Sequence, residues 1–172
     1  MELEGKRVAV LAERLYQEME LWYPVLRMRE AGATVNVVGP AKGTYLSESG
    51  YAAEADMSID EAQVADFDAV IIPGGYAPDH MRRNARMVGF VRDMFNQGRV
   101  VAYICHAGWM PASAGILKGR TATSTPTIKD DVINAGAAWV DREVVVDGNL
   151  ISSRRPADLP AFCREIIRAL AK

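Results

Sequence analysis

The sequence predicts an α/β protein, a three-layer sandwich in which a mostly parallel sheet carries helices on both faces. Three observations predict this class. Short apolar runs without alternation are typical of strands that are buried on both faces of a parallel sheet. Helical patterns lie between these runs, which indicates βαβ units with right-handed crossovers. The last third of the chain instead contains two short apolar runs around an Asp-Gly pair, which indicates a C-terminal hairpin.

The elements can be assigned in order along the chain. The four apolar runs predicted as buried strands are residues 7–11, 34–38, 69–72 and 100–104. A first helix carries Leu21, Val25 and Met28 on its inner face and ends near Gly32, because glycine commonly follows the last helical turn. Ser58 and Glu61 have the spacing of a capping box, which predicts that another helix begins there.

The second half of the chain continues this pattern. A helix that ends near Gly98 precedes the strand at 100–104, and its inner face is formed by Val88, Val91, Met94 and Phe95. Residues 144–151 form the predicted hairpin, and a last helix follows Pro160. Together these elements predict a flavodoxin-like sheet in a single domain that spans residues 1–172.

Composition and charge exclude several classes of protein. With 172 residues, 49% hydrophobic and 24% charged, the chain is neither disordered nor fibrous. Its formal net charge of −2 gives no reason to expect a stable nucleic-acid complex, and the cluster of Arg82, Arg83 and Arg86 is interpreted as a solvated surface. The sequence shows neither a membrane-spanning run nor a signal peptide, and two cysteines are too few for a disulfide framework. We therefore expect a cytoplasmic protein without membrane contact.

A thiol stands directly after the strand at 100–104. Open α/β sheets place their functional sites at the carboxyl ends of the strands, so Cys105 and His106 lie where a nucleophile is expected. Gly74 and Gly75 follow the neighbouring strand, and together with the amide of His106 they could bind a developing oxyanion. From these residues alone, Cys105 is either a catalytic thiol or a small buried core residue.

The second cysteine and the two histidines reduce the number of catalytic mechanisms that the sequence allows. Cys163 lies on the apolar stripe of the last helix and is predicted to belong to the core. No histidine follows His106, which excludes a papain-like or α/β-hydrolase triad and the His-x-Glu of class I glutamine amidotransferases. His80 is interpreted as a free loop residue. Neither His-Glu-x-x-His nor Cys-x-x-Cys occurs, so no metal site and no cofactor are expected.

Several ordered motifs carry a resemblance over nearly the whole chain. They are residues 20–24, 73–75, 77–79, 104–106, 128–131, 133–136, 146–149, 152–154 and 156–159. With these motifs the sequence resembles the ThiJ/PfpI superfamily, most closely its PfpI-like branch of intracellular cysteine proteases and stress-linked deglycases. The resemblance implies a class I glutamine amidotransferase-like fold and a homodimer or homohexamer.

The resemblance also implies roles for individual residues. Cys105 matches the nucleophile of the family, and Glu20 matches an acid that is held protonated and hydrogen-bonds the cysteine sulfur. Burial beside a thiolate raises the pKa of a carboxyl, so this role is physically reasonable. Glu18, the other nearby acid, is interpreted as exposed or interfacial. His106 matches a histidine that an acid of a neighbouring subunit orients, and the matching acid here is Asp79.

The chain departs from the branch at three positions. Asp79 stands where the branch usually has glutamate, Ala107 where it has glycine, and Thr125 where protease-like members have tyrosine. Because aspartate is one methylene shorter than glutamate, its reach toward a neighbouring histidine is reduced. These departures weaken the resemblance to the proteases more than they weaken the thiol chemistry.

Three functions remain open for the sequence. In the first, favoured here, a Cys105 thiolate attacks a small aldehyde or a glycated protein or peptide, as in a metal-independent glyoxalase or deglycase. Glu20 and His106 would then shuttle protons. In the second, Cys105, His106 and Asp79 form a peptidase site across a subunit interface. In the third, the protein is a non-enzymatic redox sensor or holdase with an oxidisable Cys105.

Overall fold

Eleven strands and six helices alternate along the computed structural model, which describes residues 1–172. The strands are β1 (Arg7–Leu11), β2 (Thr34–Gly39), β3 (Gly43–Leu46), β4 (Ala52–Ala55), β5 (Met57–Ser58), β6 (Ala69–Ile72), β7 (Val100–Ile104), β8 (Thr121–Ala122), β9 (Ala138–Trp139), β10 (Val144–Asp147) and β11 (Leu150–Ser153). The helices are α1 (Glu18–Glu30), α2 (Ala77–Met81), α3 (Ala85–Asn96), α4 (Trp109–Ala114), α5 (Lys129–Asn134) and α6 (Leu159–Leu170).

Seven of the strands form the central sheet in the order β10-β11-β7-β6-β1-β2-β5. All neighbours in this sheet are parallel except the β10–β11 pair at one edge. The chain moves from β1 to β2 in one direction along the sheet and from β6 to β7 in the other. Right-handed crossovers therefore place α1 and α3 on opposite faces, which confirms the predicted three-layer class.

The four buried strands predicted from the sequence are confirmed, and β2 is only one residue longer than expected. The C-terminal hairpin also forms, but its turn lies one residue further along the chain. Asp147 pairs with Leu150, so Gly148 and Asn149 occupy the turn, and Gly148 has a φ of 61°. The side-chain amide of Asn149 donates to the backbone carbonyl oxygens of Phe95 and Arg99 and thereby fixes the hairpin to the end of α3.

The prediction that a helix begins at Ser58 is wrong. The capping contact itself forms, because the Ser58 amide donates to Glu61 Oε2 at 3.0 Å. The chain then makes a turn and a single 3₁₀ turn at Val64–Asp66 before it enters β6. The capping pair thus closes a tight turn on the short path from β5 to β6.

The core lies between the sheet and the two helical layers. The last helix packs against β7 and β11 with an apolar stripe that includes Cys163, which is 1% exposed. The core position predicted for this cysteine is confirmed. No helix of the chain combines the length and the apolar character that crossing a membrane requires.

Candidate active site

The order of the sheet brings three segments together at one edge. Strands β7, β6 and β1 are neighbours and parallel, so the residues that follow their carboxyl ends meet. Cys105 follows β7 directly, Gly74 lies two residues beyond β6, and Glu20 lies in the first turn of α1, after β1. The fold therefore assembles the predicted thiol, glycine loop and acid from three distant parts of the sequence.

The backbone of Cys105 adopts an unusual conformation. Its φ is 62°, and Leu15, with a φ of 63°, is the only other residue besides glycines with a positive value. Such a conformation costs on the order of 1–3 kcal/mol and persists only where the surroundings enforce it. A sharp turn of this kind between strand and helix is the arrangement that exposes a nucleophile above an α/β sheet.

Glu20 is fully buried beside the thiol. One carboxyl oxygen, Oε2, accepts the Gly74 N–H at 2.8 Å, whereas Oε1 has no hydrogen-bond partner. The backbone N–H of Glu20 donates to the Gln17 side chain at 3.0 Å, which caps α1 and fixes the start of the helix. In this structure the amide of Gly74 is bonded to Glu20, and its predicted part in binding an oxyanion stays a prediction.

The glycine loop is shaped by the lack of side chains. A Cβ at Gly74 would collide with Glu20 Oε2 and would lie 2.8 Å from the Cβ of Cys105, so only glycine lets acid and thiol approach each other. Gly75 has a φ of 76°, and a Cβ there would lie 2.5 Å from the carbonyl oxygen of Leu15. The backbone amides of Gly75 and His106 lie close enough to the Cys105 sulfur to lower the pKa of its thiol, so the two remaining predicted oxyanion donors lie beside this sulfur.

The acid and the thiol influence each other's protonation. Burial raises the pKa of Glu20 to about 7, which agrees in direction with the sequence prediction; its bonds to Gly74 and Cys105 oppose the rise, and the charge of Glu48 adds to it. Burial, followed by the negative charge of Glu20, raises the pKa of Cys105 to about 12, although the His106 and Gly75 amides oppose this. The pKa of the resting thiol is raised because desolvation and the charge of Glu20 outweigh the two amides.

His106 lies on the solvent side of the thiol. Its Nδ1 is 3.3 Å from Cys105 Sγ, and its Nε2 is 3.3 Å from Thr127 Oγ1. The ring of Tyr76 stacks on the imidazole at a centroid distance of 6.3 Å, and that of Trp109 is tilted against it at 5.3 Å. Partial burial lowers the pKa of His106, which keeps the imidazole neutral and able to accept a proton.

Two residues considered from the sequence lie on the short helix α2 instead of at the thiol. Asp79 is exposed and makes no hydrogen bond or ion pair with His106 within the chain, so its predicted role across a subunit interface stays a prediction. His80 is half-buried in the same helix, which corrects its interpretation as a free loop residue.

Glu18 has a structural role that the sequence did not reveal. It is half-buried and accepts hydrogen bonds from the Ser47 hydroxyl at 2.5 Å, the Ser49 amide at 3.0 Å and the Ser49 hydroxyl. The hydroxyl of Ser47, followed by that of Ser49, lowers the pKa of Glu18 to about 2. Glu18 therefore ties the loop at residues 47–51 to α1, and no local pattern could show this because its partners lie about 30 residues away.

Cys105 lines none of the surface cavities of the chain. One apolar groove of about 400 Å³ lies nearby along the exposed side of α1, where Met19, Trp22, Tyr23 and Leu26 face Tyr51. No group of three or more His, Cys, Asp and Glu side chains is arranged to hold a metal ion.

Known proteins share both the sequence and this architecture. A sequence model of a protein family, described as DJ-1/PfpI family, matches residues 6–169 of this chain. Deglycase PH1704 of Pyrococcus horikoshii is 45% identical over 164 residues, which cover 95% of this chain and 99% of that protein. Protein/nucleic acid deglycase 2 of Escherichia coli is 42% identical over 169 residues, covering 96% and 98% of the two chains. The crystal structure of Drosophila melanogaster DJ-1beta matches with a TM-score of 0.91 and 30% identity over 96% of this chain and 90% of that one. The chain therefore belongs to the DJ-1/PfpI family.

Proposed function

We propose that the protein is a cysteine-dependent deglycase that also converts free 1,2-dicarbonyls to 2-hydroxy acids. The observation that carries this proposal is the position of the Cys105 sulfur between the buried carboxyl of Glu20 and Nδ1 of His106. Two backbone amides face the same sulfur. The deglycase names of relatives at 42–45% identity support the choice of carbonyl adducts as substrates.

The reaction begins with the proton of the thiol. While Glu20 is ionised, its charge opposes a thiolate at Cys105. When Glu20 holds a proton, that repulsion disappears and its O–H can donate to the sulfur, so moving one proton within the pair creates the nucleophile at constant net charge. The thiolate adds to the aldehyde carbon of methylglyoxal and forms a C–S bond. The new alkoxide takes up a proton from Glu20 or His106, and the product is a hemithioacetal.

Deglycation enters the same sequence of steps from an early adduct. In such a carbinolamine the amine nitrogen is bonded to the former aldehyde carbon. The sulfur bonds to this carbon, the C–N bond breaks, and the amine leaves with the proton that Glu20 received from the thiol. In the hemithioacetal, a base moves the proton of the sulfur-bearing carbon to the adjacent carbonyl carbon, and the hydroxyl proton moves to the oxygen of that carbonyl, which gives a thioester of lactate. Water then cleaves the C–S bond, releasing lactate and the Cys105 thiol.

Turnover of methylglyoxal to lactate, with EDTA present and glutathione absent, tests the proposal. The wild type should be active, and Cys105→Ser should lower kcat/KM by at least about 1,000-fold because the nucleophile is lost. Cys163→Ser is the matched control, since it removes the other thiol without touching the site, and it should retain turnover. Full activity of Cys105→Ser would refute the proposal.

Glu20→Gln distinguishes proton transfer from packing at the same site. The amide keeps the shape and the bond to Gly74 but cannot exchange a proton with Cys105, so kcat should fall by about 100-fold. Glu18→Gln, two residues earlier in α1, should leave kcat within a few-fold of wild type, because Glu18 contacts the 47–51 loop instead of the sulfur. Equal losses in the two variants would assign the effect to helix position instead of proton transfer.

The proposal includes a homo-oligomer, a dimer or a hexamer, in the cytoplasm. The apolar groove on α1 supports association with a second copy, and the two free cysteines suit a reducing compartment. The exposed carboxylate of Asp79 is available to a neighbouring subunit, which favours peptidase activity as the second candidate. Peptide cleavage that disappears when the oligomer dissociates would support that candidate, and an intact oligomer inert on a broad peptide panel would refute it.

A further inference from the structure

Both ring nitrogens of His106 face a partner within the chain. Nδ1 lies 3.3 Å from Cys105 Sγ, and Nε2 lies 3.3 Å from Thr127 Oγ1. No carboxylate hydrogen-bonds or ion-pairs with the ring. The group that orients the histidine within the chain is therefore a hydroxyl.

The tautomer of the imidazole decides whether this hydroxyl donates a hydrogen bond to Nε2 or accepts one from it. A neutral imidazole carries one proton, and Nδ1 can accept the thiol proton only when the ring proton is on Nε2. An acceptor at Nε2 selects that tautomer. The hydroxyl of Thr127 can accept from Nε2–H while its own proton points to Thr125 Oγ1, 3.5 Å away. A chain of donors thus runs from the sulfur outward to Thr125.

The residues before and after Thr127 in the sequence fix its segment beside the site. The Thr125 amide donates to the carbonyl oxygen of Cys105 at 3.3 Å. Ile128, directly after Thr127, is 2% exposed and packs in the core. Tyr76 and Trp109 hold the plane of the imidazole, but a ring held only by its plane can still exchange its nitrogens or its tautomer.

We propose that Thr127 is a positioning residue that holds His106 in the Nε2–H tautomer, so that Nδ1 is free to accept the proton of Cys105 as the alternative acceptor to Glu20. This role rests on the proposed function only in that the histidine then serves the thiol chemistry. Orientation of His106 by Thr127 differs from orientation by an acid of a neighbouring subunit, because Thr127 belongs to the same chain as the proposed nucleophile.

Three variants separate the hydroxyl from the shape of the side chain. Thr127→Val removes the hydroxyl at nearly constant volume, and Thr127→Ser retains it. Thr121→Val makes the same change at an exposed threonine of β8 whose hydroxyl contacts no side chain of the site. Nitrogen-15 NMR of the imidazoles reads the tautomer directly, and the assignment is simple because the chain has only two histidines.

Wild type, Thr127→Ser and Thr121→Val should show His106 with its proton on Nε2. Thr127→Val should show a mixture of tautomers, and its Cys105 should react with iodoacetamide about tenfold more slowly, in the range found when the partner of a functional histidine is removed. Thr127→Ser should restore the rate to within about twofold. The dispersion of the NMR spectrum shows in the same sample whether each variant is folded.

Two outcomes would overturn the inference. One is a Thr127→Val variant that keeps the Nε2–H tautomer and the wild-type alkylation rate. The other is an Asp79→Asn variant that changes the tautomer as Thr127→Val was expected to, because an acid of another subunit would then orient the ring. Neither readout needs substrate turnover. An inactive wild type with the expected tautomer shift would therefore refute the proposed function and leave this inference standing.

Discussion

Cys105 and Cys163 are the two cysteines of the chain, and burial raises the pKa of both to about 12. Cys163 lies on α6 among apolar side chains, and the only other influence on its pKa is the charge of Arg27. The sulfur of Cys105 faces an acid, an imidazole and two backbone amides. The pKa of the resting thiol is therefore the same for both cysteines and does not show which of them is reactive. What distinguishes Cys105 is a set of neighbours that can take up and return its proton.

The largest difference between the two thiols should appear in their alkylation. In the folded protein Cys105 should react with iodoacetamide at least about 1,000-fold faster than Cys163, which is exposed only when α6 opens locally. Peptide mass spectrometry over a time course measures both rates in one sample. Rates within tenfold of each other would show that the neighbours of Cys105 do not activate it, whereas denaturant should make the two rates equal.

A smaller effect should come from the acid that sets Cys105 apart. The pKa of Glu20 is about 7 in the folded chain and 4.5 as a free group, so between these values the native state binds more protons than the unfolded state. The free energy of unfolding should therefore fall as pH rises through this window, by about 3 kcal/mol in total, and level off above pH 7. Urea unfolding at several pH values should show this fall in wild type and not in Glu20→Gln.

Glu18→Gln is the control for that experiment. The pKa of Glu18 is lowered to about 2, so this carboxyl is ionised in both the folded and the unfolded state between pH 4.5 and 7. Its loss should leave the slope of stability against pH unchanged in this window. A wild-type slope that persists in Glu20→Gln would show that another group causes it, and the raised pKa of Glu20 would then be refuted.

The smallest effect should come from the cysteine in the core. Cys163→Ala removes one buried sulfur and should lower the free energy of unfolding by about 1 kcal/mol, because the core relaxes only partly around the lost atom. Turnover of methylglyoxal should not change. A loss of turnover in a folded Cys163→Ala variant would show that α6 communicates with the site, and the contrast between the two cysteines would then be incomplete.

Those parts of the fold that depend on local patterns could be predicted from the sequence. Buried parallel strands appear as apolar runs, so β1, β6 and β7 were placed correctly, and their shared edge brought Cys105 to the expected position. The resemblance to a family added Glu20, which is fully buried in the structure and whose pKa is raised by this burial. A carboxyl that lies 85 residues before its thiol cannot be matched to that thiol from sequence spacing alone.

Features that depend on desolvation or on distant loops could not be predicted. The commitment of the Gly74 amide to Glu20 and the raised pKa of Cys105 follow from how closely the site is packed. The bonds of Glu18 to Ser47 and Ser49 need the loop after β3 to fold back on α1. At Ser58 the local signal is present, but the contact between Ser58 and Glu61 closes a turn instead of starting a helix.

The positive φ of Cys105 has a consequence for how this protein can evolve. A left-handed backbone costs an L-residue about 1–2 kcal/mol, and glycine adopts it without that cost. A Cys105→Gly change would therefore relieve strain in the fold while destroying the nucleophile. Mutation and selection for thermal stability alone would favour the loss of this thiol, so a lineage keeps the cysteine only as long as its chemistry contributes to fitness.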